Sequence, residues 1–171
     1  MYKRQVLAGT GSVFDIAGFG STRLVATESL RGTGDSTLAV QGALTVESAR
    51  IAPDGAARLA LSSTGLLSTR QPERVPTLPA LDAFGGRLEL RGAQLDIDTL
   101  LAAPAGRIDL TATTGDLRLL GDARLDLAGR SLDFGSGRAS APGGTLRLDA
   151  RLGDILASQG FQADLSGGPA G

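Results

Sequence analysis

The sequence has no cysteine, no histidine and no tryptophan, and among its 171 residues it carries one tyrosine and five phenylalanines. Without cysteine there can be no disulfide and no thiolate metal site, although an elongated fold can be exported without such bridges. Without histidine, general-base chemistry would fall to carboxylates or to Tyr2. Charge of one sign is lacking too: 17 Lys and Arg face 18 Asp and Glu, a net charge of −1. That balance implies no broad attraction to nucleic acid or anionic lipid. No run approaches the roughly 18 apolar residues that span a bilayer, and the basic start is not followed by a signal peptide's apolar core. Lysine is confined to Lys3, so Met1-Tyr2-Lys3-Arg4-Gln5 breaks the arginine-only bias of the rest. Residues 1–5 read as an artefact of sequence assembly, which would make the chain a fragment.

What is present is alternation. Arg87-Leu88-Glu89-Leu90-Arg91, Gln94-Leu95-Asp96-Ile97-Asp98, Arg107-Ile108-Asp109-Leu110-Thr111, Arg124-Leu125-Asp126-Leu127 and Arg147-Leu148-Asp149 place apolar residues at every second position. Period two predicts strands with one wet face. Ser12–Ile16, Thr37–Val40, Leu44–Val46 and Arg58–Leu61 repeat the pattern more weakly. Each run ends after four or five residues at Gly, Pro, Asp or Ser, and no helical periodicity stands beside them.

Sliding residues 106–129 against 144–167, a gapless shift of 38, superimposes Gly106 on Gly144, Leu110 on Leu148, Ala112 on Ala150 and Gly115 on Gly153. It also matches Asp116 with Asp154, Asp126 with Asp164, Leu127 with Leu165 and Gly129 with Gly167. Gly86-Arg87-Leu88 precedes Gly106-Arg107-Ile108 by twenty residues, so 38 is read as two coils of about 19. Three short strands fit such a coil, starting near Gly106, Gly115 and Ala123. The expected fold is an all-β, right-handed parallel β-helix, a single segment over 1–171 with its clearest repeats at 86–168. Stacked coils would bury ladders of Leu, Ile and Val in an interior too narrow for Trp. Gln71-Pro72-Glu73-Arg74-Val75-Pro76-Thr77-Leu78-Pro79 cannot supply ladder donors at its prolines and predicts a loop insertion over 70–85. Gly135–Pro142 reads as a second, shorter interruption after a strand at Leu132-Asp133-Phe134.

The order Gly-Arg-Ile-Asp-Leu-Thr-Ala, Gly-Asp-Leu-Arg-Leu, Ala-Arg-Leu-Asp-Leu-Ala-Gly-Arg and then Pro142-Gly143-Gly144-Thr145-Leu146-Arg147-Leu148 resembles passenger segments of filamentous-haemagglutinin-like exoproteins. The resemblance covers residues 80 to the end most clearly and rests on repeat grammar. It implies an adhesin secreted from, or held on the surface of, a Gram-negative bacterium, exported through an outer-membrane two-partner-secretion transporter. Its implied partners are host or neighbouring cell-surface proteins or glycans, with no nucleic acid, no small-molecule substrate and no cofactor. Arg31-Gly32-Thr33-Gly34-Asp35 does not match the Arg-Gly-Asp tripeptide of some family adhesins. The secretion domain such proteins carry at the N-terminus is not recognisable, consistent with an internal fragment.

Two rival classes have sequence features of their own. Asp96 and Asp98 should share the solvent face of one strand, a carboxylate pair of the kind glycoside hydrolysis uses, with Arg107 and Asp109 or Arg147 and Asp149 lining a groove beside them. The plainer reading is a solvated strand face. A periplasmic lipid-transporting β-groove would also repeat Leu-Asp-Leu strands. Asp133–Gly137 is not a calcium nonapeptide, and Gly9-Thr10-Gly11 lacks the third glycine and following helix of a nucleotide loop. The sequence reading therefore assigns no catalytic, cofactor-binding or metal residue.

Overall fold

The computed structural model describes residues 5–8, 12–81, 84–133 and 138–168; residues 1–4, 9–11, 82–83, 134–137 and 169–171 lie outside them. Among the described residues every regular element is a strand. In chain order these are β1 (Gln5–Ala8), β2 (Ser12–Ile16), β3 (Ser21–Thr33), β4 (Asp35–Val40), β5 (Ala43–Pro53) and β6 (Arg58–Ser63). Then follow β7 (Leu66–Arg70), β8 (Arg87–Gly92), β9 (Gln94–Asp98), β10 (Leu100–Ala102), β11 (Arg107–Ala112) and β12 (Leu117–Leu119). The last are β13 (Arg124–Asp126), β14 (Ser131–Asp133), β15 (Arg138–Ser140), β16 (Thr145–Ala150), β17 (Ile155–Ala157) and β18 (Gln162–Asp164).

Two parallel sheets carry the fold, and the chain passes back and forth between them. The six-stranded sheet runs β16-β11-β8-β6-β4-β2. The ten-stranded sheet contains two rows. One joins the first half of β3, the first half of β5, β7, β9, β12 and β17; the other joins β1, the second halves of β3 and β5, β10, β13 and β18. Parallel neighbours cannot be linked by a hairpin, so each strand pairs with one a whole circuit away. The result is a solenoid-like, all-β fold.

Circuit length departs from the expected 19 residues. Uninterrupted returns range from 20 residues, between Arg87 and Arg107, to 25, between Gln5 and Leu30. The shift of 38 is one step, not two coils: β11 pairs directly with β16, β12 with β17 and β13 with β18. The additional residues go largely to an excursion in which β14 and β15 form an antiparallel hairpin, Ser131 opposite Ser140. Part of the stretch read as a bare interruption is thus a strand. The identities found by sliding the sequence are nonetheless real register partners, among them Leu110 with Leu148 and Asp126 with Asp164.

Alternation places one column of side chains inward along each row. Leu59, Leu88 and Ile108 stack in register, as do Leu38, Leu61, Leu90 and Leu110, and on the ten-stranded sheet Leu44, Leu67, Leu95 and Leu117. These side chains are 0–3% exposed. Each contributes roughly 1.5–3 kcal/mol against the ordering cost of its residue. The interior is therefore filled by aliphatic ladders.

The corners require close backbone approach. A Cβ on Gly106 would lie 2.1 Å from the Gly86 carbonyl oxygen, and one on Gly144 would lie 2.3 Å from that of Gly106. Gly42 adds a positive φ of 98°, open to glycine without steric cost. Aspartate holds other corners: Asp126 accepts from the Ala128 amide (3.2 Å) and Asp164 from the Ser166 amide (2.9 Å). Both are Asx turns, which explains why the repeat keeps aspartate there.

One seam interrupts the regularity. After β7 the chain leaves the sheet, as the prolines predict, and among the described residues forms no strand until Arg87. The second half of β5 consequently pairs straight with β10, Arg50 opposite Leu100. Hydroxyls satisfy the backbone at this seam. Thr99, fully buried, donates to the Ser48 carbonyl, and Thr69 accepts from the Asp98 amide at 3.2 Å. Ser48 donates to the Arg50 carbonyl (2.8 Å) and accepts from the Leu30 amide (3.1 Å). The Arg50 guanidinium donates to the Pro79 carbonyl at 2.8 Å, tethering the departed segment to the outside of the sheet.

Candidate functional site

The outer face of the six-stranded sheet concentrates the charged chemistry. Its strands begin Arg58-Leu59-Ala60-Leu61, Arg87-Leu88-Glu89-Leu90 and Arg107-Ile108-Asp109-Leu110, and pairing sets Arg58, Arg87 and Arg107 side by side. Like charges in a row would repel, so each arginine turns to a carboxylate two positions along. Arg58 makes a two-pronged contact with Glu89 on the next strand (Nε–Oε1 2.9 Å, Nη2–Oε2 2.6 Å). Arg87 contacts Glu89 on its own strand (2.6 Å) and Asp109 on the next (3.1 Å). Arg107 closes on Asp109 at 2.8 Å, and further along the sheet Arg147 reaches Asp149 at 3.4 Å.

These contacts fix protonation. Hydrogen bonding from Arg58, assisted by the charges of Arg58 and Arg87, holds the Glu89 carboxyl below its ordinary range despite burial and the repulsion of Asp109. Burial pushes the Asp109 carboxyl up, but bonds and charges from Arg107 and Arg87 outweigh it and leave its pKa lowered. Arg58 and Arg107 are reciprocally raised by these carboxylates. A general acid needs the opposite shift, so Glu89 and Asp109 serve as fixed acceptors.

Beside this ladder the face is made of small residues. Thr37, Ala39, Ala60 and Ser62 floor a shallow depression of about 570 Å³ rimmed by Asp15, Arg58, Glu89 and Arg91. Arg91 also lines a second hollow with Arg107, Thr111, Arg147, Asp149 and Arg151. The surface is a broad strand face with hydroxyls, guanidinium groups and acceptors at fixed intervals.

The sequence-proposed carboxylate pair is elsewhere. Asp96 and Asp98 do share the outward side of β9, but β9 belongs to the ten-stranded sheet, whereas Arg107, Asp109, Arg147 and Asp149 lie on the six-stranded one. The expected groove joining them does not form. Asp98 accepts from the Asp122 amide (3.1 Å), and Asp96 accepts from Gln94 (3.3 Å). Arg31 pairs with Asp54 and Gly34 takes a positive φ of 64°, so the Arg31–Asp35 stretch turns a corner of the fold. Among the described residues no three acidic side chains gather as a metal-ligand group. Sequence reasoning did not single out Arg58, Glu89 and Arg91; aligning Arg-Leu-Ala-Leu, Arg-Leu-Glu-Leu and Arg-Ile-Asp-Leu by their leading arginine would have found them. No family model, no curated protein and no solved structure matches this chain.

Proposed function

We propose that the chain is a right-handed parallel β-helix with three strands per coil, serving as a structural and adhesive segment of a secreted or surface-held exoprotein resembling filamentous haemagglutinin. The single observation that carries this reading is the parallel pairing of circuit on circuit along three rows, with one strand skipped at the seam. Such stacking yields an extended body whose flat sides offer repeated, shallow contacts, suited to many weak interactions with host or neighbouring surface proteins or glycans. Stacking coil upon coil also suits a chain emerging end first through an outer-membrane two-partner-secretion transporter. The aliphatic filling of the interior favours a solid spacer over a lipid-carrying groove. The ion-paired state of Glu89 and Asp109 favours a binding face over an acid–base site.

The test is adherence. Beads coated with the purified chain are expected to bind cultured cells or a glycan array saturably, and charge reversal at Arg58 and Arg91 together is expected to lower that binding. Beads that adhere no better than albumin-coated controls across both panels would refute the adhesive role.

A further inference from the structure

Across β8, β11 and β16 each carboxylate of the outer face is shared between two arginines, and one further arginine has none. Glu89 serves Arg58 and Arg87, Asp109 serves Arg87 and Arg107, and Asp149 serves Arg147 and Arg151. Arg91, exposed near the end of β8, has no carboxylate and no hydrogen-bond partner among the described residues. The hollow it lines holds five arginines against three carboxylates, an excess of two positive charges in a chain whose net charge is −1. Arg91 also stands at a step in the sheet. Pairing sets Ala60 beside Glu89 and Ser62 beside Arg91, with Thr37 beside Ala60 and Ala39 beside Ser62 on the strand beyond. Long side chains give way to short ones across one strand spacing, and the depression of about 570 Å³ opens at the foot of Arg91. β4 and β6 are each paired on both sides, so their backbone groups are occupied. The floor therefore offers side-chain hydroxyls and alanine methyls.

We infer that this depression is a binding site for a carboxylated sugar, a uronic or sialic acid residue of a glycan, with the Arg91 guanidinium holding the carboxylate and the ring lying on β4 and β6. The inference rests on the adhesive reading above and names its ligand. Charge selects an anion. A bound carboxylate becomes the acceptor that Arg91 lacks, completing the pattern of its neighbours, and the guanidinium fork matches two carboxylate oxygens. Glu89, two positions away, is already compensated by Arg58 and Arg87. The floor selects a sugar over an acidic peptide. A peptide would need a free sheet edge or a deep apolar groove for its anchor side chains, and these doubly paired strands under a shallow depression provide neither. A polyhydroxylated ring needs small groups that let it approach and bond, which Thr37, Ala39, Ala60 and Ser62 supply.

Isothermal titration of the full chain tests this with trigalacturonate and sialyllactose as probes, and with maltotriose and triglutamate as the uncharged-sugar and acidic-peptide comparisons. At least one acidic sugar is expected to bind, with both comparison probes roughly tenfold weaker or more; the arm that binds tells which acid the site takes. Arg91→Gln is expected to weaken that binding roughly ten- to a hundredfold, the scale of a lost two-pronged charge-assisted bond, and Arg91→Lys to restore only part of it. Ala39→Leu, which fills the floor and leaves Arg91 in place, should weaken binding comparably. Arg74→Gln, a cation on the strandless excursion, should leave it unchanged. Because Arg91 is exposed and unpaired, the urea midpoints of its variants should match wild type. Failure of both acidic sugars to bind, equal binding of maltotriose or triglutamate, wild-type affinity in Arg91→Gln or Ala39→Leu, or an equal loss in Arg74→Gln would each overturn the inference. Bead adherence separates this from the wider reading. Coated beads that adhere to cells while the acidic sugars do not bind refute the site and spare the adhesive role; acidic sugars that bind a chain whose beads do not adhere do the reverse.

Discussion

Substituting Gly106 by alanine tests whether backbone contact between stacked corners is a structural requirement. The added Cβ would meet the Gly86 carbonyl oxygen at 2.1 Å, 0.9 Å inside the 3.0 Å floor that real Cβ contacts respect. Backbone lies on both sides, so no side chain can rotate away. The Gly86 carbonyl is also the acceptor of the Arg107 amide at 2.8 Å. A retreat of 0.9 Å would take that bond past 3.5 Å, and loss of a partly buried backbone bond costs about 1–3 kcal/mol. Crowding of the adjoining circuit adds about 1–3 kcal/mol, offset by about 0.4–1 kcal/mol from the stiffer unfolded chain. The net expectation is a destabilisation of about 1–5.5 kcal/mol, measured by urea titration with the slope checked for constancy. Gly20 is the control, since a Cβ there meets nothing within 4 Å and its φ is ordinary. Gly20→Ala should be neutral or slightly stabilising. If Gly106→Ala matches Gly20→Ala within about 0.5 kcal/mol, the corners tolerate side chains and the close-approach reasoning fails.

Thr99→Val keeps shape but removes the hydroxyl that serves the Ser48 carbonyl; leaving that acceptor unserved should cost about 1–3 kcal/mol in the same titration. An unchanged midpoint would mean the seam does not depend on its hydroxyls. Glu47, Glu89, Asp109, Asp116 and Asp164 all have carboxyl pKa values lowered in the folded chain. For such groups the stabilisation is present above the unfolded pKa near 4 and is lost as pH falls through the folded one, so the thermal midpoint should hold near neutrality and decline below about pH 5. A midpoint that rises on acidification would contradict the lowered values.

Alternation is a faithful guide where charged and apolar side chains take turns. Gln94–Asp98 is a strand with the bounds the sequence suggests, because every second residue is aliphatic. Ser21–Thr33 is not legible in the same way: β3 turns between sheet rows at a register shift near Ala26 and Ser29, and its exposed edge does not require strict alternation. Coil length misleads because the hairpin excursion of β14 and β15 leaves the flanking register intact, so a gapless shift of 38 resembles two shorter repeats. At the candidate site single residues are visible in the sequence but their partners are not. Arg58 and Glu89 lie 31 positions apart, and only the extra length of the Pro-rich excursion determines that they meet.

The omission of one strand at the seam also has a geometric meaning for the whole body. Where β5 passes directly to β10, one side of the stack advances by a single strand spacing of about 4.8 Å while the side holding β7 advances by two. Such a wedge is an edge dislocation in the sheet, and it turns the long axis toward the shorter side, where the segment tethered through Pro79 lies. Proline placement in the sequence thereby sets curvature: an array that repeated this omission at intervals would follow an arc, with its excursion loops crowded along the inner rim.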